Sequence, residues 1–289
     1  MPFKSLYNQS PFKLLTSTAV AVGLLLCGTA NAEDGPPGTD IYVAQISSAL
    51  TGEIELKNPR KITTRKGYDN QPFFLANGSG ILYTAILPMK SGQWQADSFF
   101  YHFKTNKHTN LTNSDLSEYS PILMAAKKTF SAIVVEPDGK QLLWSLPYKS
   151  SEKAGRLMDL EPVGYHAWGV NLDLVTFVLG EPSTLQYQKN SQKKGKDTWW
   201  LAEYQPKHDK VSSLVPLPKG SDYYTWIDDE TAVTAVNNVL YTWRYDSPSA
   251  TDSVADWVKW MDMSKVCKTK ITRLAVDKTQ QKMAFVCDE

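Results

Sequence analysis

Apolar residues along this chain gather in short runs of strand length, separated by clusters of Gly, Pro, Asn, Asp and Ser. The stretch from Gly67 to Thr84 shows the pattern in its clearest form. A polar cluster containing Pro72 leads into Phe73-Phe74-Leu75, the dipeptide Asn77-Gly78 follows, and Ile81-Leu82-Tyr83 resumes the apolar run. Asn-Gly accepts positive φ at low cost, so the stretch predicts a β-hairpin.

Weaker copies recur downstream. Tyr68-Asp69-Asn70-Gln71-Pro72-Phe73 lines up with Ser117-Glu118-Tyr119-Ser120-Pro121-Ile122, Val163-Gly164-Tyr165-His166-Ala167-Trp168, Ser221-Asp222-Tyr223-Tyr224-Thr225-Trp226 and, more faintly, Thr269-Lys270-Ile271-Thr272-Arg273-Leu274. The interval is roughly fifty residues, the length of one four-stranded propeller blade. The expected fold is therefore all-β, a single β-propeller of four-stranded blades over residues 40–289.

Strands are expected at Asp40–Ile46 and Arg60–Thr63, and further ones follow each hairpin. The third unit offers two candidates for its third strand, Thr184–Gln188 and Thr198–Tyr204, on either side of the basic run Lys189–Lys196. That run reads as a solvated loop rather than a binding patch. The unit closes with Lys210–Val215. The last unit, Ile271–Val276 and Lys282–Cys287, is two strands short. The chain's first two strands complete it, so the N- and C-terminal strands share one blade and the ring counts five. Such closure removes open sheet edges.

Residues 1–32 change the picture of where the protein works. Lys4 and Lys13 precede an apolar core from Ala19 to Leu26, and Ala30-Asn31-Ala32 stands before Glu33. This is the pattern of a secretory signal peptide cleaved near Ala32, its apolar run too short to span a bilayer. Residues 33–39 then form a flexible lead-in, and the mature protein is periplasmic or secreted. Cys27 lies in the removed segment behind Leu26, where a lipoprotein would carry a small residue. Export leaves Cys267 and Cys287, which in an oxidising compartment are expected to pair. Two buried thiols are the alternative, and no zinc spacing is present. A formal net charge of +1 gives no footprint for nucleic acid, and no other segment has the length of a membrane span.

The residues Asp40-Ile41-Tyr42, Tyr68-Asp69-Asn70-Gln71-Pro72-Phe73-Phe74 with Asn77-Gly78-Ser79, and Leu111-Thr112-Asn113 with Ser117-Glu118-Tyr119-Ser120-Pro121 resemble the TolB-like, WD-repeat-like propeller repeat of exported bacterial proteins. Ala76-Asn77 replaces the usual Pro-Asp of that repeat, and Ala125-Ala126-Lys127-Lys128 lacks its turn glycine. The resemblance implies a periplasmic scaffold that binds other proteins. It also implies six blades as the alternative count, with the region after Thr184 shortened.

No phosphate loop, nucleophile elbow, H-E-x-x-H or Cys-x-x-Cys is present. Candidate chemistry comes from convergence: inner strands of a propeller start around one mouth, which brings together Asp69, Glu118, Tyr165, His166, Asp222, Tyr223 and Arg273. Such a set binds a peptide terminus, a sugar or an ion, or it serves structural hydrogen bonds between blades. A lone imidazole is poor evidence for a metal, since His102, His108 and His208 fall elsewhere in the repeat. Trp199-Trp200, Trp226, Trp243, Trp257 and Trp260 read mostly as blade packing, with one or two available for stacking.

Three functions follow as expectations. The first is a non-catalytic, monomeric scaffold, without cofactor or metal, whose partner is a protein or peptide of the cell envelope. The second is a propeller hydrolase or lyase acting on a polysaccharide or peptide through Asp69, Glu118 and His166. The third is a structural part of a larger assembly.

Overall fold

The computed structural model describes residues 35–48, 54–124, 128–148, 153–168, 174–181, 184–189, 200–202, 218–221, 223, 225–227, 231–244, 257–277, 279 and 281–289. The signal peptide, its cleavage point near Ala32, residues 33–34, Asp222, the loop at 190–199 and the expected strand at Lys210–Val215 lie outside the described residues.

The described chain runs through β1 (Thr39–Ser48), β2 (Ile54–Lys61), β3 (Asp69–Phe74), β4 (Gly80–Pro88), β5 (Trp94–His102), β6 (Lys107–Asn110), β7 (Ser117–Met124), β8 (Thr129–Val135), β9 (Gln141–Pro147) and β10 (Gly155–Arg156). It continues through β11 (Val163–Trp168), β12 (Leu174–Val178), β13 (Thr184–Lys189), β14 (Trp200–Ala202), β15 (Thr225–Trp226), β16 (Thr231–Val236), β17 (Val239–Arg244), β18 (Val258–Asp262), β19 (Ile271–Val276) and β20 (Lys282–Asp288). Among the described residues these strands form five four-stranded sheets. Four are the sequential groups β3–β6, β7–β10, β11–β14 and β15–β18. The other has the order β19-β20-β1-β2 and so joins the two ends of the chain. Its closing pair is β1 against β20, antiparallel from Thr39 opposite Asp288 to Gln45 opposite Lys282. The arrangement is all-β and propeller-like.

Burial explains why these segments are strands. Six successive residues of β4, from Gly80 to Ala85, are buried, as are six of β8, from Thr129 to Val134. A strand covered on both faces reads as a continuous apolar run rather than an alternating one. The outer strands are the reverse: β6 is mostly exposed and β2 carries Pro59 among charged residues, as suits an open edge. Ile41, Val43, Ala284 and Val286 of the shared sheet pack with Ile81, Tyr83 and Tyr101 of the next, while Leu82, Phe100 and Phe130 fill the following seam.

Two strands differ from expectation. The second was expected at Arg60–Thr63 and ends at Lys61. Ile62 instead donates its amide to Ile41 O at 2.9 Å, and Thr63 Oγ1 accepts the Ile41 amide at 2.8 Å. In the third unit both candidate segments are strands, β13 and β14, paired from Tyr187 opposite Ala202 to Lys189 opposite Trp200.

A register shift interrupts the pairing near the start of β3, β7, β11 and β19. At the first two the bulge places Gln71 at φ 58° and Ser120 at φ 53°, each directly before a proline. The strained turn is held from the neighbouring sheet, because the Ser120 amide donates to Gln71 Oε1 at 2.8 Å and Thr84 Oγ1 at 3.1 Å.

Candidate functional site

The innermost strands bring an aromatic cluster to one place. Arg273 of β19 donates from Nη2 to the Tyr165 hydroxyl of β11 at 2.9 Å. Its guanidinium lies 5.7 Å from the Tyr165 ring centre and 5.1 Å from that of Tyr223, just ahead of β15. Its Nη1 donates to Thr272 O at 2.6 Å. Tyr68, directly before β3, has its phenol pushed up by burial, with Arg273 pulling the other way and Tyr165 and Tyr119 adding to the rise. Four tyrosines and one arginine, one from the inner end of each sheet, thus share a single electrostatic neighbourhood. Tyr119, Tyr165, Tyr223 and Arg273 are half-buried.

Asp69, the residue after Tyr68, is wholly buried. Its Oδ1 accepts from Arg65 Nε at 3.0 Å and Nη2 at 2.7 Å, while Arg65 Nη1 reaches Ile86 O at 2.8 Å. Burial pushes the carboxyl up to about 7, against the pull of Arg65 and with Asp40 and Glu289 adding to the rise. Among the described residues Oδ2 has no hydrogen-bond partner.

Glu118 is buried in the seam between β5 and β7. Ser114 Oγ donates to its Oε1 at 2.5 Å, and Oε2 is enclosed with no partner among the described residues. Beside it Asp97 accepts from Gln95 Nε2 at 3.1 Å, Asn110 Nδ2 at 2.6 Å and Thr112 Oγ1 at 3.4 Å. Burial pushes Glu118 up to about 7, the Ser114 and Thr112 hydroxyls oppose this, and the charge of Asp97 adds to it.

His166 lies 2.7 Å from Ser131 Oγ through Nε2, and Trp168 Nε1 donates to the same oxygen at 2.8 Å. A serine hydroxyl against an imidazole is the contact of a nucleophile and its base. Ser131 is fully enclosed, however, and the third member is an indole on the serine rather than a carboxylate orienting Nδ1. Burial lowers the imidazole to about 3, so it stays neutral. The trio ties the second sequential sheet to the third.

The seven candidate positions therefore divide. Tyr165, Tyr223 and Arg273 meet. Asp69, Glu118 and His166 occupy separate buried sites with their own partners, and Asp222 lies outside the described residues. Arg65, Asp97, Ser114 and Ser131 escaped sequence reasoning because they come from loops and neighbouring sheets that no repeat pattern connects. Cys267 and Cys287 form a disulfide with Cα atoms 5.9 Å apart, joining the turn ahead of β19 to the end of β20. Trp243 and Trp257 meet at a tilt of 41° with ring centres 6.4 Å apart, and Trp260 packs on the core. Trp199 and His208, and the side chains of Trp200 and Trp226, lie outside the description. Among the described residues no group of three or more His, Cys, Asp or Glu is placed to hold a metal, and no helix is long and apolar enough to cross a membrane.

No family model matches the chain, and no curated protein matches it. Solved structures with partial likeness include a DUF4784 family protein from Bacteroides caccae, at 11% identity and TM-score 0.33, covering 79% of this chain and 72% of that one. TolB from Acinetobacter baumannii stands at 9% identity and TM-score 0.31, covering 87% of this chain and 64% of that one. The tricorn protease stands at 10% identity and TM-score 0.26, covering 84% of this chain and 22% of that one. Likeness at this level carries no argument, and the propeller-like description rests on the sheets themselves.

Proposed function

We propose that this protein is an exported, monomeric β-propeller of five four-stranded blades that binds a protein or peptide segment of the cell envelope at its axial mouth, without catalysis. The observation that carries the reading is the convergence of Tyr68, Tyr119, Tyr165, Tyr223 and Arg273 from separate sheets. Tyrosine and arginine dominate the energetic centres of protein interfaces, since each combines a large apolar area with directional hydrogen bonding. Arg273 also reaches from the shared sheet to both the β11 and β15 sheets. The buried disulfide agrees with an oxidising compartment. Asp69, Glu118 and His166 support the fold from within the seams, which leaves the hydrolase reading without a carrying observation.

The test is a pull-down from envelope extracts with the intact chain and with the Tyr119→Ala/Tyr165→Ala variant. Loss of a specific protein partner from the variant, with its thermal midpoint retained, is expected. An unchanged partner set refutes the mouth as the binding face. Export is checked separately by N-terminal sequencing of the secreted form, expected to begin at Glu33.

A further inference from the structure

The face of the shared sheet that looks toward the β3–β6 sheet carries a row of cations. Gln45 of β1 lies opposite Lys57 on one side and Lys282 on the other, and one pleat away Val43 lies between Arg60 and Ala284. Directly opposed residues of an antiparallel sheet share a face. Val43 and Ala284 belong to the core that the two sheets build together, so Lys57, Arg60 and Lys282 project toward the same seam.

Two of these cations are held in position. Arg60 lies 5.7 Å from the Tyr101 ring centre and donates from Nη1 to Asn106 Oδ1 at 2.7 Å, and the Tyr101 hydroxyl donates to that same oxygen at 2.7 Å. Asn106 reaches the position from the tip of the β5–β6 hairpin, at φ 53°. Lys282 Nζ lies 5.8 Å from the ring centre of Phe103, which meets Tyr101 edge-on at 5.7 Å. The hairpin adds exposed Lys104 and Lys107. Among the described residues neither Arg60 nor Lys282 forms a salt bridge, whereas neighbouring Lys61 pairs with Asp40. Glu55, one pleat beyond Lys57, is exposed and is the nearest acid along β2.

Lys57, Arg60 and Lys282 thus gather at one place on a protein whose formal net charge is only +1. We infer that this seam binds an acidic polysaccharide, with its anionic groups on Lys57, Arg60 and Lys282 and the apolar face of a sugar ring against half-buried Phe103. Arginine prepositioned on a ring suits a planar carboxylate, and the exposed outer strand β2 offers its cations along the edge of the sheet, as suits an extended polymer. A lipid surface fits less well. Among the described residues the exposed large hydrophobics Met89, Trp94, Val175 and Val258 lie outside this row, whereas a bilayer would want apolar side chains within it.

The experiment titrates the folded, disulfide-bonded chain with polygalacturonate at low salt. Neutral dextran and phosphatidylglycerol vesicles form the other arms. Binding to polygalacturonate is expected, weakened by added salt, and about tenfold weaker for Arg60→Ala/Lys282→Ala. Lys57→Glu, at an exposed position that supports no ring, is expected to weaken binding in the same direction without changing the thermal midpoint. Variants that bind like the parent, equal binding of dextran, or binding to vesicles but not to the polymer would each overturn the inference.

Discussion

Replacing Glu118 with glutamine keeps the shape of a side chain that is 2% exposed while removing its ability to ionise. In the folded protein the carboxyl titrates at about 7, against an ordinary value of 4.5, because the seam withholds water and Asp97 stands beside it. Between those values the folded chain holds a proton that the unfolded chain has released. The stability this proton confers is fully present below pH 4.5 and is lost as pH rises through 7. The whole shift corresponds to roughly 3 kcal/mol, reduced where water reaches the edge of the seam. The assay is urea unfolding of parent and Glu118→Gln at pH 5 and pH 8. Asp69, whose carboxyl is raised by burial in the same direction, gives both proteins a common slope, so the difference between them isolates Glu118. The parent is expected to lose about 2 kcal/mol more than the variant over this interval. Parallel losses would refute the claim that Glu118 is protonated in the folded seam.

Arg65→Ala strips Asp69 of its cationic partner in a fully buried site and is expected to cost about 3–5 kcal/mol, read by urea unfolding at pH 8 and smaller at pH 5, where the carboxyl is protonated. Reducing the Cys267–Cys287 disulfide, or replacing both cysteines with serine, is expected to remove about 3 kcal/mol and lower the thermal midpoint, because the bridge closes the chain's final sheet. Gly80→Ala places a Cβ against the Tyr101 carbonyl and the Phe100 ring and should destabilise by several times as much as Gly78→Ala. The latter faces open space and carries only the cost of φ +66°, about 1 kcal/mol, so similar losses in unfolding titrations would contradict the packing described.

Much of the architecture was legible in the residues. Asn77-Gly78 marked the first hairpin, and Gly78 does take φ 66°. The spacing of its weaker copies located the inner strands, and the two missing strands of the last unit implied that Ile41–Ile46 would pair with the terminal hairpin, as it does, Ile41 lying opposite Val286. The sequence also paired Cys267 with Cys287. The edge strand was misplaced because β2 is almost wholly exposed, and an exposed strand carries no hydrophobic period to set its ends.

The candidate site was only partly legible, for a reason of geometry. Successive side chains on a strand point to opposite faces, so a repeat aligned to within one residue names a neighbourhood without naming a face. Tyr68 and Asp69 are adjacent, as are Glu118 and Tyr119, and Tyr165 and His166. In each pair the tyrosine belongs to the central cluster and its titratable neighbour is sealed in a seam. The residues alone determined the inner hairpins and that the ends join, because hydrophobic runs and turn chemistry act locally. The bulges near the start of β3, β7, β11 and β19, and the packing of each sheet on the next, decided which side chains meet at the centre, because those contacts join residues whose positions along the chain bear no fixed relation to one another.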